Sequence, residues 1–126
     1  MKLHFLGTAS GFPTPGRNVS STCLQLSDGQ VWMFDCGEST QVQVQKSKLK
    51  VDKISKIFIT HLHGDHLFGL PGLLCFLSNG LDSELASKMV VDIYGPIGLK
   101  KYLITCLELS GSMPMSLFSY SSLSHL

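Results

Sequence analysis

The chain has 126 residues, ten Lys and Arg against nine Asp and Glu, and 44% hydrophobic residues. That is enough for one domain with a real core, and a net charge of +1 marks neither a strongly basic nucleic-acid binder nor an acidic tail. The longest apolar stretch, residues 67–77, holds two glycines and a proline and is too short to span a bilayer, and the N-terminal apolar run is too short for a secretory signal. A soluble intracellular protein without a membrane span, cytoplasmic or nuclear, is the expectation. Cys23, Cys36, Cys75 and Cys106 are widely spaced among apolar residues and read as reduced, buried thiols.

Residues 1–6 alternate as a strand that Gly7-Thr8-Ala9-Ser10-Gly11 breaks. Small residues there suit a tight turn or a close backbone approach, and their glycine spacing matches neither phosphate-binding fingerprint. Residues 20–26 and 31–34 are strands around Asp28-Gly29, a hairpin signal. The second ends at Asp35, read as a structural acid or a pocket rim, with Ser39 or Thr40 as cap of a polar helix over 41–47.

Lys46, Lys48, Lys50, Lys53 and Lys56 hold half of the ten basic residues in eleven positions. They are either a solvated helix end or a phosphate-contacting patch, and Lys46, Lys48, Lys50 and Lys53 are candidate RNA contacts. A buried strand over 56–59, a helix over 67–77, a strand over 90–94, and a helix over 97–109 opened by Pro96 follow. This order predicts an α/β fold with helices covering sheets. Residues 110–126 contain seven serines and no Asp, Glu, Lys or Arg; they read as a tail in which Phe118 and Tyr120 alternate as a truncated strand would.

Three of the five histidines stand in Thr60-His61-Leu62-His63-Gly64-Asp65-His66. On extended chain, residues i and i+2 point the same way, so His61 and His63 can grip one divalent ion. Gly64 permits the reversal after which Asp65 and His66 open the next helix beside a second position, where Asp65 can take a proton. His4 and His125, each alone, read as locally hydrogen-bonded.

The stretches Phe5-Leu6-Gly7-Thr8, Phe34-Asp35-Cys36-Gly37-Glu38, Ile57 through His66, Phe68-Gly69-Leu70-Pro71-Gly72 and Ile93-Tyr94-Gly95-Pro96 resemble ribonuclease Z of the metallo-β-lactamase superfamily, in its short form. The resemblance runs from residue 2 to about residue 109. It implies the N-terminal part of a four-layer αβ/βα sandwich, with residues 1–109 as the half-domain and 110–126 as the tail. It implies a zinc-dependent endonuclease that removes the 3′ trailer of precursor tRNA and works as a homodimer. His61 and His63 match ligands of one zinc, Asp65 and His66 match ligands of the second, and Asp65 matches the proton acceptor. The family has Gly where this chain has Ser39. It also completes its two-zinc site with a further histidine, an aspartate and a last histidine beyond the length of this chain. Two other readings stand beside it: another hydrolase of the same fold, and a truncated, non-catalytic, partner-binding fragment. An isolated half is expected to expose sheet faces and edges.

Overall fold

The structure, a computed structural model, describes residues 1–80, 82–112 and 118–122. Six strands form one sheet in chain order: β1 (Lys2–Gly7), β2 (Ser21–Gln25), β3 (Val31–Phe34), β4 (Ile54–Phe58), β5 (Val91–Gly95) and β6 (Phe118–Ser122). The first three are antiparallel, and β3 to β6 are parallel. The β2–β3 hairpin turns at Asp28-Gly29: Gly29 takes φ +91°, and the Asp28 carboxylate accepts from the Gln30 amide at 3.0 Å.

Each parallel connection steps the same way across the sheet and crosses over through helices. With the usual right-handed crossover, the helices must then all fall on one face. They are α1 (Thr40–Lys46), α2 (Gly64–Leu67), α3 (Leu70–Asn79), α4 (Ser83–Lys88) and α5 (Leu99–Leu109). Their apolar residues Val44, Leu70, Leu73, Leu77, Leu99, Leu103 and Leu107 join Cys23, Val31, Met33, Ile57 and Ile93 of the sheet in one buried core. The expectation of buried, reduced cysteines holds for Cys23 and Cys36, while Cys75 and Cys106 are half-buried, and all four are free. Burial pushes the Cys23 thiol up to about 12.

Among the described residues, the opposite face has no helix on it. Phe34, Phe58 and Tyr94 stack across β3, β4 and β5 with centroids 5.1 and 4.9 Å apart, and Leu3 and Phe5 of β1 extend this surface, Phe5 being 68% exposed. An apolar sheet face of this kind packs on a second layer in a sandwich. Lys56 lies here rather than at a solvated helix end. It is a β4 residue whose ammonium sits 3.1 Å from the Asp92 carboxylate on β5.

Three expectations need correction, and one helix is added to them. The helix over 67–77 is two pieces, because Gly69 donates its amide to Cys36 carbonyl at 3.0 Å while Pro71 suits the first turn of α3. Neither Ser39 nor Thr40 caps α1 with its side chain. Ser39 stands at the N-cap in the left-handed region (φ +63°), a conformation that costs a non-glycine residue about 1–2 kcal/mol, and the Thr40 hydroxyl donates to Gly37 carbonyl at 2.7 Å. The helix after Pro96 starts at Leu99, because Gly98 takes φ +100°. Helix α4, capped by the Asp82 carboxylate accepting from Glu84 amide, is too short for its periodicity to be read. At the other end, β6 pairs with β5, Phe118 opposite Val91 and Tyr120 opposite Ile93.

Candidate metal centre

Strands β3 and β4 end side by side, with Phe34 opposite Phe58, so the chain leaves both at the same end of the sheet. Two loops meet there. Asp35 opens the first with φ +60° and is 6% exposed; the histidines follow β4 in the second. The Cys36 amide donates to His66 carbonyl at 2.8 Å, and the Gly69 amide donates back to Cys36 carbonyl. Such close backbone pairing leaves no room for side chains. A Cβ on Gly37 would stand 2.3 Å from Asp65 carbonyl oxygen, and one on Gly69 would stand 1.9 Å from that of Gly37.

The Asp35 carboxylate is the hub of this junction. It accepts from the Thr60 amide at 2.8 Å, from the Thr60 hydroxyl at 3.0 Å, and from His66 Nδ1 at 2.7 Å. Because the Thr60 proton goes to Asp35, its oxygen is left to accept from His61 Nδ1, 2.9 Å away. Two tautomers follow from one carboxylate. His66 directly, and His61 through Thr60, are held with Nδ1 as the donor, so in the neutral ring Nε2 is the nitrogen left free to bind a metal.

The imidazoles are crowded together. The His61 ring lies 4.6 Å from His63, nearly edge-on, and 4.2 Å from His66, centroid to centroid. Asp65 Oδ2 lies 3.5 Å from His66 Nε2 and accepts the Gly11 amide at 2.8 Å. That amide, aided by the His66 and His63 rings, holds the Asp65 carboxyl below the usual carboxylate range against the opposing effect of burial. Gly11 reaches Asp65 because the loop before it is pinned: the Thr8 and Ala9 amides both donate to Asn18 carbonyl, and Asn18 Nδ2 donates to Glu38 carbonyl. The small-residue stretch after β1 therefore serves a close backbone approach. A Cβ on Gly7 would fall 1.7 Å from Val19 carbonyl oxygen.

Three imidazoles and a carboxylate are donors that zinc accepts, and bare Nε2 atoms backed by a carboxylate are the form in which histidine binds it. The residues fit zinc in type, and His61 and His66 fit it in the tautomer their Nδ1 contacts favour. They fall short in number: among the described residues, no three of His, Cys, Asp and Glu are placed to hold a single ion.

Lys46, Lys48, Lys50 and Lys53 are exposed, but they precede β4 and lie at the end of the sheet away from the histidines, about 17 Å along the strand. His4 bonds Gln25 Oε1 at 3.2 Å, far from the site in the fold, and His125 lies outside the described residues. Thr60 and Gly11 have no part in the sequence reading, and Asp35, read there as a structural acid or a pocket rim, is the hydrogen-bond hub of the junction. An acid at the end of the strand before the one that leads into the histidine loop was the available signal for Asp35.

A one-sided, mostly parallel sheet with clustered histidines and an aspartate at its strand ends defines a metallo-β-lactamase-fold protein, and these residues make up its N-terminal part. A family model described as anti-Pycsar protein Apyc1 matches residues 1–96, and the chain belongs to that family. It is also similar to ribonuclease Z of Streptococcus pyogenes, 54% identical over 114 residues that make up 89% of this chain and 36% of that protein. Among solved structures it resembles human tRNase Z, short form, with a TM-score of 0.84 and 48% identity over 97% of this chain and 44% of that one. A long-form RNase Z from yeast matches at a TM-score of 0.72 and 26% identity, over 95% of this chain and 18% of that one. The chain thus spans little more than a third of the length of the curated relatives it matches.

Proposed function

We propose that this chain carries the first half of the active site of a zinc-dependent endonuclease that removes the 3′ trailer from precursor tRNA. The observation that carries this reading is the Asp35 hub, which holds His61 and His66 with Nδ1 as donor and sets His66 Nε2 3.5 Å from Asp65. Its similarity to ribonuclease Z and to the human short-form tRNase Z supplies the substrate class.

His61 and His63 would hold one zinc, and Asp65 and His66 a second. Zinc, when bound, polarises the phosphate and lowers the pKa of the attacking water. Asp35 keeps both rings turned and protonated correctly, and Gly11 keeps Asp65 ionised at its place. As the water oxygen bonds to phosphorus and the P–O3′ bond breaks, Asp65 would accept the water proton and hand it, directly or through solvent, to the departing 3′-oxygen, so that the tRNA leaves with a 3′-hydroxyl and the trailer with a 5′-phosphate. Lys46, Lys48, Lys50 and Lys53 would touch RNA backbone remote from the cut. Precursor tRNA as substrate, an intracellular compartment and a homodimer belong to the same reading. Among the described residues, no helix is long and apolar enough to cross a membrane.

Two ligands per ion are fewer than the three that, with a water, make a catalytic zinc site. The remaining ligands and the second sheet layer would come from a further stretch such as the relatives possess, and the 126 residues by themselves are expected to be inactive. The test is to join the chain to the corresponding remainder of a ribonuclease Z and assay 3′-extended precursor tRNA. Cleavage that drops at least about 1,000-fold in His63→Ala is the expected result. Wild-type rates in that variant, or no cleavage of tRNA beside hydrolysis of a smaller phosphodiester, would refute it.

A further inference from the structure

Two aromatic side chains stand at the mouth of the histidine loop with no part in the core. Phe12 is 72% exposed and Phe68 is 63% exposed. Phe12 directly follows Gly11, whose amide holds the Asp65 carboxylate, and its own amide donates to Ser10 carbonyl at 3.0 Å. Phe68 ends α2, and its ring lies back over Gly64, so close that a Cβ there would be 2.2 Å from Cε2. One ring is therefore a residue away from Asp65's hydrogen-bond donor, and the other covers the residue preceding Asp65.

These exposures differ from those of Leu3, Phe5 and Phe34, which lie on the sheet face that a second layer would cover. Phe12 and Phe68 sit at the strand ends, one on a loop pinned to Asn18 and Glu38, the other backed by Gly64. Exposed rings carried on positioned backbone beside a phosphate-cutting centre suit flat ligands. Every nucleobase offers such a face, and aromatic stacking is how proteins hold single-stranded RNA.

We propose that Phe12 and Phe68 form a stacking lip for the nucleobases that flank the phosphate presented to Asp65 and the histidines, an inference that rests on the RNA-cutting reading of this site. The lip would favour a nucleic-acid strand over small phosphodiesters, which have no flanking bases to stack.

The test compares a fluorescent single-stranded RNA octamer with an abasic ribose–phosphate octamer, both titrated with the 126-residue chain in zinc. The RNA is expected to bind at least about 10-fold more tightly. Phe12→Ala and Phe68→Ala should each weaken RNA binding by about 5- to 100-fold, leave the abasic strand unaffected, and keep the urea midpoint, since both rings are exposed. Phe12→Trp and Phe68→Trp should retain RNA binding. Equal affinity for the two strands, unchanged RNA binding in both alanine variants, or equal weakening of RNA and abasic strand would overturn the lip. In the chain joined to its missing remainder, the same variants separate the two proposals. Stacking without tRNA cleavage contradicts the proposed function alone, and cleavage with kcat/KM untouched by both alanine changes contradicts the lip alone.

Discussion

Asp35→Asn is expected to lower zinc affinity by about 10- to 100-fold while leaving the fold standing. Asparagine has the same shape and tolerates φ +60° better than most residues. Its amide, however, presents one acceptor and one donor where three donors converge. If its oxygen faces the Thr60 amide, its NH2 faces His66 Nδ1, which must then give up its proton to Nε2, the nitrogen proposed to hold metal. If the amide is turned over, it meets the Thr60 N–H donor to donor. Either way Thr60 loses a carboxylate acceptor, and the tautomer of His61 is no longer set. Asp35→Ala goes further. It leaves the Thr60 amide and His66 without an acceptor in a nearly closed site and keeps a side chain in the left-handed region, at a cost of about 3 kcal/mol in stability. Zinc titration and urea unfolding of the two variants check this. Wild-type zinc affinity in Asp35→Asn would remove Asp35 from the site.

Gly69→Ala should destabilise the protein by about 3 kcal/mol or more, an effect out of proportion to one methyl group. The new Cβ would sit 1.9 Å from Gly37 oxygen and 3.2 Å from Cys36 oxygen, and both are backbone atoms that cannot swing aside. Relief requires the two loops to separate, and those loops carry the Cys36-to-His66 and Gly69-to-Cys36 backbone hydrogen bonds. The expected damage therefore includes the site: His66 moves away from Asp35 as the strain is relieved. Gly16→Ala is the matched control, since nothing lies within 4 Å of the added carbon and its φ is ordinary; its urea midpoint should stay within about 0.5 kcal/mol of wild type. Equal midpoints for the two variants would contradict the close-packed junction.

Much of this was legible in the sequence because it is local. Alternation over residues 1–6, Asp28-Gly29 between β-formers, and His61, His63, Asp65 and His66 within six positions each carry their signal in a short window. The metal-binding reading came from side-chain chemistry that holds in any fold. What escaped depends on distant segments meeting. Asp35 reaches His66 across 31 residues because β3 and β4 run parallel and end together, and Gly11 reaches Asp65 across 54 because its loop is pinned to Asn18 and Glu38. Before pairing was known, an acid after a strand was as readily a structural residue. The helix over 67–77 misled because apolar spacing continues through Gly69, whose amide is taken by Cys36 rather than by a helical carbonyl. The Ser39 turn shows the reverse case. The departure from the family's glycine falls on a left-handed residue, which the sequence alone could mark but not explain.

The central claim is that residues 61–66 form half of a zinc site, oriented by Asp35 but not complete. Equilibrium zinc binding to the 126-residue chain, measured alongside its activity on 3′-extended precursor tRNA, tests it most directly. The expected result is chelator-reversible zinc uptake that His63→Ala and Asp35→Asn both weaken, with no cleavage. Zinc uptake equal in wild type and His63→Ala, or robust chelator-sensitive cleavage by these 126 residues alone, would contradict it.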